Sequence, residues 1–412
     1  MAYRFLWACG VLMLAMAAAA QSAGSGVASE AKVVQGKLIA PGGPPFHLTA
    51  DIDGGSTKIE MFWLGPDKWR RTIDSPGFAQ TIIVNGDRVF EHNSDAYFPL
   101  DLRTLATAMV DPSPIESAVR PGDPVRTKAN GSSDESGVVC YDTARSLCLS
   151  SRFGLIESLG PAGHAVDFMN YQPFHGMRIA RRLIYSVSVG DYTIAEITKL
   201  EDLKHPDASL FATEMLKLNE NPIQVADLSE TELATIAGEN PEIIWPQVLD
   251  GAQTGEASFY LSLDAAGKIR EVHPLSISCE RANDSVVRQL LRWKTKPVNR
   301  DGRRVQAEGI LRFRFDTRAW GPKDTLTDAD ARRLASNIVE PVVTTGKYPA
   351  GTDYKLWIAV DSDGVVIEKI PAGGPPDLFS PCDQALKQWH FSPVMENGEP
   401  RPYRALVVFH IS

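Results

Sequence analysis

Cysteine is scarce in this chain. Five residues, at positions 9, 140, 148, 279 and 382, are spread over 412, with no Cys-x-x-Cys and no Cys/His set at zinc spacing. The eight histidines, at 47, 92, 164, 175, 205, 273, 390 and 410, show no metal-ligand spacing either. His-Glu-x-x-His, the phosphate-loop pattern, Gly-x-Gly-x-x-Gly and Gly-x-Ser-x-Gly are all missing. No motif therefore points to a metalloenzyme, a nucleotide-dependent enzyme or a serine hydrolase. The chain is read as non-enzymatic, with no cofactor and no metal. Asp361-Ser362-Asp363-Gly364 opens like a calcium loop but lacks the later acidic ligands, so a hairpin turn is expected there. The hydroxyls and carboxylates between 131 and 136 have no histidine near them in sequence.

An excess of positive charge is also missing. With 42 Lys plus Arg against 51 Asp plus Glu, the net charge is −9, which argues against nucleic acid as a partner. Lys68-Trp69-Arg70-Arg71 and the basic run at 178–182 read as solvated strand faces. No apolar run is long enough to span a bilayer. The longest, residues 5–20, falls short of the about 20 needed.

That run is instead shaped like an export signal. Arg4 precedes it, and Ala18-Ala19-Ala20 before Gln21 supplies the small residues a signal peptidase accepts. We expect a cleaved signal peptide over 1–20, no transmembrane anchor afterwards, and a periplasmic or secreted protein. Loss of Cys9 leaves an even number of cysteines, which suits an oxidising compartment. Cys140 and Cys148 flank a polar stretch, Tyr141-Asp142-Thr143-Ala144-Arg145-Ser146, and are expected to pair across two strands. Cys279 and Cys382 are the other possible pair, but they lie 14 and 7 residues before the tryptophans that mark their repeats, so symmetry does not support it.

Residues 31–215 carry short β-prone runs separated by Gly65-Pro66-Asp67, Ser75-Pro76-Gly77 and Asn85-Gly86-Asp87, the turn chemistry of an antiparallel meander. Asp101 is expected to cap a helix that carries Leu102, Leu105, Ala106 and Met109 on one face. The Pro-, Gly- and Ser-rich stretch 112–136 reads as a long loop. Residues 216–240 read as a linker with a short helix, for which Ser229 and Glu232 form a capping box.

The last part of the chain repeats itself. Gly267 and Gly364 lie 97 residues apart, while Trp293/Trp389, Pro297/Pro393, Gly302/Gly398 and Phe313/Phe409 each lie 96 apart. In the first copy Ala257, Phe259, Leu261 and Leu263 share a strand face, and Val286, Leu290 and Trp293 give a helix to cover it. In the second copy Tyr354, Leu356, Ile358 and Val360 match them, with Cys382, Leu386 and Trp389 on the helix. We expect a repeat over 241–318, a helical connector over 319–339 capped by Thr327 and running to residue 339, and a second repeat over 340–412. The fold class is α+β: a curved antiparallel half-barrel with a helix, then two small β-β-α-β domains.

Two resemblances follow. Trp63-Leu64-Gly65-Pro66-Asp67-Lys68-Trp69-Arg70-Arg71, Ser75-Pro76-Gly77-Phe78, Val84-Asn85-Gly86-Asp87-Arg88-Val89-Phe90 and Asp207-Ala208-Ser209-Leu210-Phe211 make residues 31–215 resemble LolA-like lipoprotein carriers. That resemblance implies an apolar cavity able to hold an acyl chain, with Trp63, Trp69, Phe78 and Phe90 pointing inward. Trp293-Lys294-Thr295-Lys296-Pro297 and Trp389-His390-Phe391-Ser392-Pro393, with the Asp-Gly and Asn-Gly turns and aromatic last strands, make the repeats resemble the C-terminal domain of TonB-type energy transducers. Trp245-Pro246 and Tyr348-Pro349 stand near the start of each copy. This second resemblance implies capture of an extended envelope peptide or protein by strand addition at a sheet edge. An acyl lipid or lipoprotein held by the half-barrel is the alternative ligand.

Overall fold

The computed structural model describes residues 37–112, 125–127, 138–141, 147–150, 154–159, 164–188, 191–213, 222–238, 240–249, 253–344, 347–349 and 351–411. The expected leader at 1–20 and the hydroxyl-rich stretch 131–136 lie outside the described residues. The chain divides into two compact units, Met1–Gln224 and Val225–Ser412.

In the first unit, strict alternation of apolar and polar residues builds long antiparallel strands. They are β1 (Phe46–Ile52), β2 (Thr57–Gly65), β3 (Lys68–Ser75), β4 (Phe78–Asn85), β5 (Arg88–Asn93), β6 (Val125–Thr127), β7 (Val138–Tyr141), β8 (Leu147–Ser150), β9 (Gly154–Leu159), β10 (Ala165–Phe174), β11 (Met177–Ser188) and β12 (Asp191–Asp202). They form one open 12-stranded sheet in the order β5-β4-β3-β2-β1-β12-β11-β10-β9-β8-β7-β6, with β5 and β6 at its margins. The turn residues noted in the sequence join neighbours into a meander, and β12 returns beside β1.

Helix α1 (Leu100–Ala108) covers one face of this sheet. It buries Leu102, Leu105 and Ala106, and Asp101 Oδ2 accepts from Thr193 on β12. Asp101 sits inside the first turn rather than at the cap, which is Pro99. Phe98, just before the helix, stacks on Phe78 with ring centroids 4.7 Å apart. Each large side chain buried there contributes roughly 1.5–3 kcal/mol. On the opposite face a 3-10 turn, Ala208–Phe211, folds back over β3 to β5. Its Phe211 joins Ile83 and Phe90 in a separate apolar cluster.

The second unit holds the duplicated domain, and each copy is larger than the sequence periodicity suggests. The first contains β13 (Val225–Leu228), α2 (Glu230–Ala237), β14 (Thr254–Leu263), β15 (Ile269–Ile277), α3 (Asn283–Leu291), β16 (Val298–Arg300) and β17 (Arg303–Asp316). The second contains β18 (Thr325–Leu326), α4 (Asp328–Leu334), β19 (Ala335–Ser336), β20 (Thr352–Val360), β21 (Val366–Gly373), α5 (Phe379–Leu386), β22 (His390–Phe391), β23 (Val394–Glu396), β24 (Glu399–Arg401) and β25 (Tyr403–Ile411). The main sheets run β13-β17-β14-β15 and β18-β25-β20-β21, the same order twice.

Residues 216–240 and 319–339, expected as linker and connector, therefore contain the opening strand and helix of each copy. β13 and β18 lie parallel to the last strand of their own copy. Ser229 with Glu232 and Thr327 with Asp330 form matching capping boxes 98 residues apart. The Ser229 N–H and hydroxyl draw the Glu232 pKa down to about 2, helped by Arg300. Helix α4 stops at Leu334 instead of reaching 339, because Ala335 and Ser336 extend to pair with β22. The hairpins at Asp301-Gly302 and Asn397-Gly398 have both central residues at positive φ, as a type I′ turn requires.

Within this unit the copies are joined by charge. Arg288 on α3 donates to Asp361 and Asp363 in the turn after β20. Arg281 pairs with Glu368 on β21, which also accepts from the Leu249 N–H at 2.6 Å. Asp324, fully buried, accepts from Arg318 of the first copy and Arg401 of the second. Asp361 accepts the N–H groups of Asp363 and Val365 at 2.9 Å, which is the hairpin expected in place of a calcium loop. Cys279 and Cys382 are both free, and Cys382 is sealed in the core of the second copy, so the alternative pairing between repeats does not form.

Candidate functional site

Strand pairing decides which residues face α1. Trp63 on β2 stands opposite Trp69 on β3, Trp69 opposite Val84 on β4, and Val84 opposite Val89 on β5. Phe78 lies on the same side of β4 as Val84, six residues earlier in an unbroken register. Trp63, Trp69 and Phe78 are thus brought to the helix-covered face. Phe90 is not. It stands opposite Ile83, one residue out of phase with Val84, and packs under the 3-10 turn on the other side of the sheet. The inward role expected of Phe90 is therefore corrected: parity across the Asn85 to Arg88 turn assigns it to the outer cluster.

The row Trp63–Trp69–Val84–Val89 crosses four strands from core to margin. Trp63 is 4% exposed and Val89, on marginal strand β5, is 48% exposed. The Trp63 ring lies 6.4 Å from Trp69 and 6.3 Å from Phe46. The next row on the same face is polar where the alternation calls for apolar residues. Arg71, opposite Met61 and Ile82, donates from Nη2 to Gln80 Oε1 at 2.7 Å. Gln80 donates to Glu91 Oε1 at 3.3 Å and to Asn93 Oδ1 at 2.9 Å, and Asn93 donates to Glu91 at 2.7 Å. Burial lowers the Arg71 pKa to about 10, with the Glu91 charge acting against that shift. The guanidinium stays charged at neutral pH.

Two donors on this face are buried with nothing to donate to: the Trp63 indole N–H and the Arg71 Nε–H. Arg181, two residues before Leu183 on the same side of β11, has a third such Nε, and burial lowers its pKa. Buried polar atoms are rarely left unpaired, so each such donor marks a place where an acceptor belongs. Beneath the C-terminal end of α1, Met109, Phe168, Arg178 and Leu183 line a small pocket with room for about one water molecule. Sequence reading missed the polar row. Its signal was present as Arg71, Gln80, Glu91 and Asn93 interrupting apolar positions of successive strands.

Three other places invite chemical scrutiny. Ser262 on β14 stands opposite Glu271, which accepts from His273 Nε2 at 2.9 Å. The Ser262 Oγ is buried and bonded to neither, so the hydroxyl–imidazole contact that activates a nucleophile is not made. Burial pushes the Cys382 thiol up to about 12, the reverse of what a reactive cysteine needs. Among the described residues no group of three or more His, Cys, Asp and Glu side chains is placed to hold a metal ion.

The sheet margins of the repeats are unequal. β17 and β25 are covered by β13 and β18, whereas β15 and β21 pair on one side only among the described strands. Each of those two carries a proline, Pro274 or Pro371, beside a register shift against its neighbour.

No family model matches the chain, and no curated protein does. Solved structures similar to it include a LolA superfamily protein from Nitrosomonas europaea, at 15% identity and TM-score 0.28, covering 46% of this chain and 96% of that one. A putative outer membrane lipoprotein-sorting protein domain from Vibrio parahaemolyticus is similar at 11% identity and TM-score 0.26, over 45% of this chain and 94% of that one. A DUF1329 family protein from Desulfovibrio piger is similar at 11% identity and TM-score 0.25, over 48% of this chain and 98% of that one. Among the described residues no helix is long and apolar enough to cross a membrane.

Proposed function

We propose that this chain is an exported envelope binding protein without chemistry of its own, and that it holds an amphiphilic molecule on the helix-covered face of its large sheet. The observation that carries this reading is the apolar row from Trp63 to Val89. It links a buried aromatic wall to the open margin at β5, with unpaired donors alongside. A ligand with an apolar chain gains roughly 25 cal/mol for each Å² it buries along such a row. The export segment at 5–20 places the protein outside the cytoplasm in this reading.

Native mass spectrometry of the exported full chain tests the proposal. Adducts of acyl-chain mass are expected, and Val89→Asp is expected to deplete them. A chain that carries no such adduct and takes up no monoacylglycerol on titration overturns it.

A second reading, capture of an extended peptide by strand addition at the repeats, is favoured by the one-sided pairing of β15 and β21. The proline on each of those strands removes a donor from the margin a peptide would use, which ranks this reading behind the first.

A further inference from the structure

We infer that the polar end of the bound amphiphile is a neutral hydrogen-bond acceptor, the carbonyl of an acyl ester or amide, received by the Trp63 indole N–H and the Arg71 Nε–H. This inference rests on the amphiphile reading and narrows it to a ligand class and two specificity-determining residues.

Placement comes first. Trp63 is on β2, and Arg71 on β3 stands opposite Met61, two residues before Trp63. The two side chains are therefore diagonal neighbours on one face, a separation that long side chains bridge readily. Both donors are buried and unpaired, and one carbonyl oxygen with its two lone pairs has the capacity to accept from both. Phe46 and Trp69 flank the Trp63 ring, which leaves an apolar run for the chain attached to that carbonyl.

Charge then decides between ligand classes. Arg71 is the cation of this row, and Glu91 already offsets it through Gln80. A free carboxylate seated beside Arg71 would place two negative charges against one positive in a desolvated site, and an uncompensated buried charge is costly. A carbonyl adds an acceptor and no charge. The site thus selects an acylated molecule over the corresponding free acid.

The test uses the full chain and three probes of one chain length: monopalmitoylglycerol, palmitate and hexadecane. Binding is followed by tryptophan fluorescence and native mass spectrometry. Wild-type protein is expected to bind the ester about tenfold or more tighter than the acid. Trp63→Phe, which keeps the aromatic body and deletes the donor, is expected to weaken ester binding roughly tenfold while leaving hexadecane binding unchanged. Arg71→Lys keeps the charge and removes the Nε donor, so it is expected to reproduce that pattern if folding at position 63 suffers. Preference for palmitate overturns the inference. So does equal weakening of ester and hexadecane, or an ordered water bridging the two nitrogens that persists in the ester complex. Failure of the wild-type protein to bind any of the three probes overturns the amphiphile reading itself.

Discussion

Arg288 donates to the buried carboxylate of Asp361 at 2.5 Å, from α3 of the first repeat to the turn after β20 in the second. The same turn in the first copy has Asp264, 97 residues earlier, accepting its own backbone N–H groups and reaching Arg270 at 3.5 Å. Duplication thus supplied one turn twice, and only the second became a joint between copies.

Removing one partner of that joint leaves a charge without compensation. Arg288→Ala is expected to destabilise the second unit by roughly 2–3 kcal/mol, near the lower end for buried pairs because water screens the partly exposed arginine. Arg270→Ala is expected to cost under about 1 kcal/mol. Urea unfolding of the full chain, read by tryptophan fluorescence, measures both. Equal effects would remove the distinction between joint and turn.

Glycine in that turn answers to a close approach. Gly364 has φ of 82°, and a Cβ there would stand 2.0 Å from the Phe391 carbonyl oxygen. Gly302 has a similar φ of 77° but open space around it. Gly302→Ala is expected to cost about 1 kcal/mol from backbone conformation alone. Gly364→Ala adds a clash with backbone and is expected to cost several times as much, or to prevent folding of the unit. Thermal unfolding of the two variants compares them directly.

The duplication, the antiparallel meander, α1 and both type I′ hairpins were legible in sequence because each depends on local chemistry: period-two alternation, helical spacing, Asn-Gly and Asp-Gly. β13 and β18 were not. Runs of four and two residues are too short to show a period, and they are strands only because β17 and β25 accept them in parallel. The capping boxes at Ser229 and Thr327 were legible as helix starts but not as parts of the repeats. Phe90 shows the other limit, since its face depends on a turn that fixes pairing parity between β4 and β5. The polar row from Arg71 to Asn93 needs four strands in register before it exists at all.

Acidity probes the second link between copies. Burial of Asp324 opposes its ionisation, but the Gly321 N–H, Arg318 and Arg401 outweigh that and hold its carboxyl below the usual range. A folded pKa below the unfolded one gives stabilisation that is complete above about 4 and fades as pH falls through the depressed value. The stability difference between wild type and Asp324→Asn is expected to be constant from about pH 5 to 8 and to shrink below about pH 4. Denaturant titrations across that range measure it, and a difference that grows on acidification would reverse the sign.

Cys140 on β7 stands directly opposite Cys148 on β8, a backbone register that suits a cross-strand disulfide. Their side chains lie outside the described residues. Protein exported to an oxidising compartment is expected to yield a cross-linked peptide containing both on non-reducing digestion. Reduction is expected to lower stability by roughly 2–3 kcal/mol, as closure of a short loop predicts. Recovery of both thiols free would remove the bond.

The prolines at the repeat margins make a prediction opposite to that of a peptide-binding edge. Pro274 on β15 and Pro371 on β21 stand opposite Phe259 and Leu356, each next to a bulge, in strands that pair on one side only. Proline and bulges are the devices by which open sheet margins avoid pairing with other chains. If they act so here, Pro274→Val with Pro371→Val restores two margin donors and is expected to turn a monodisperse protein into a concentration-dependent oligomer. Sedimentation velocity reads that change. A double variant that stays as dispersed as wild type, and that gains affinity for extended peptides, would mean that the margins are docking edges held weak rather than edges kept shut, and the strand-addition reading would then move ahead of the amphiphile.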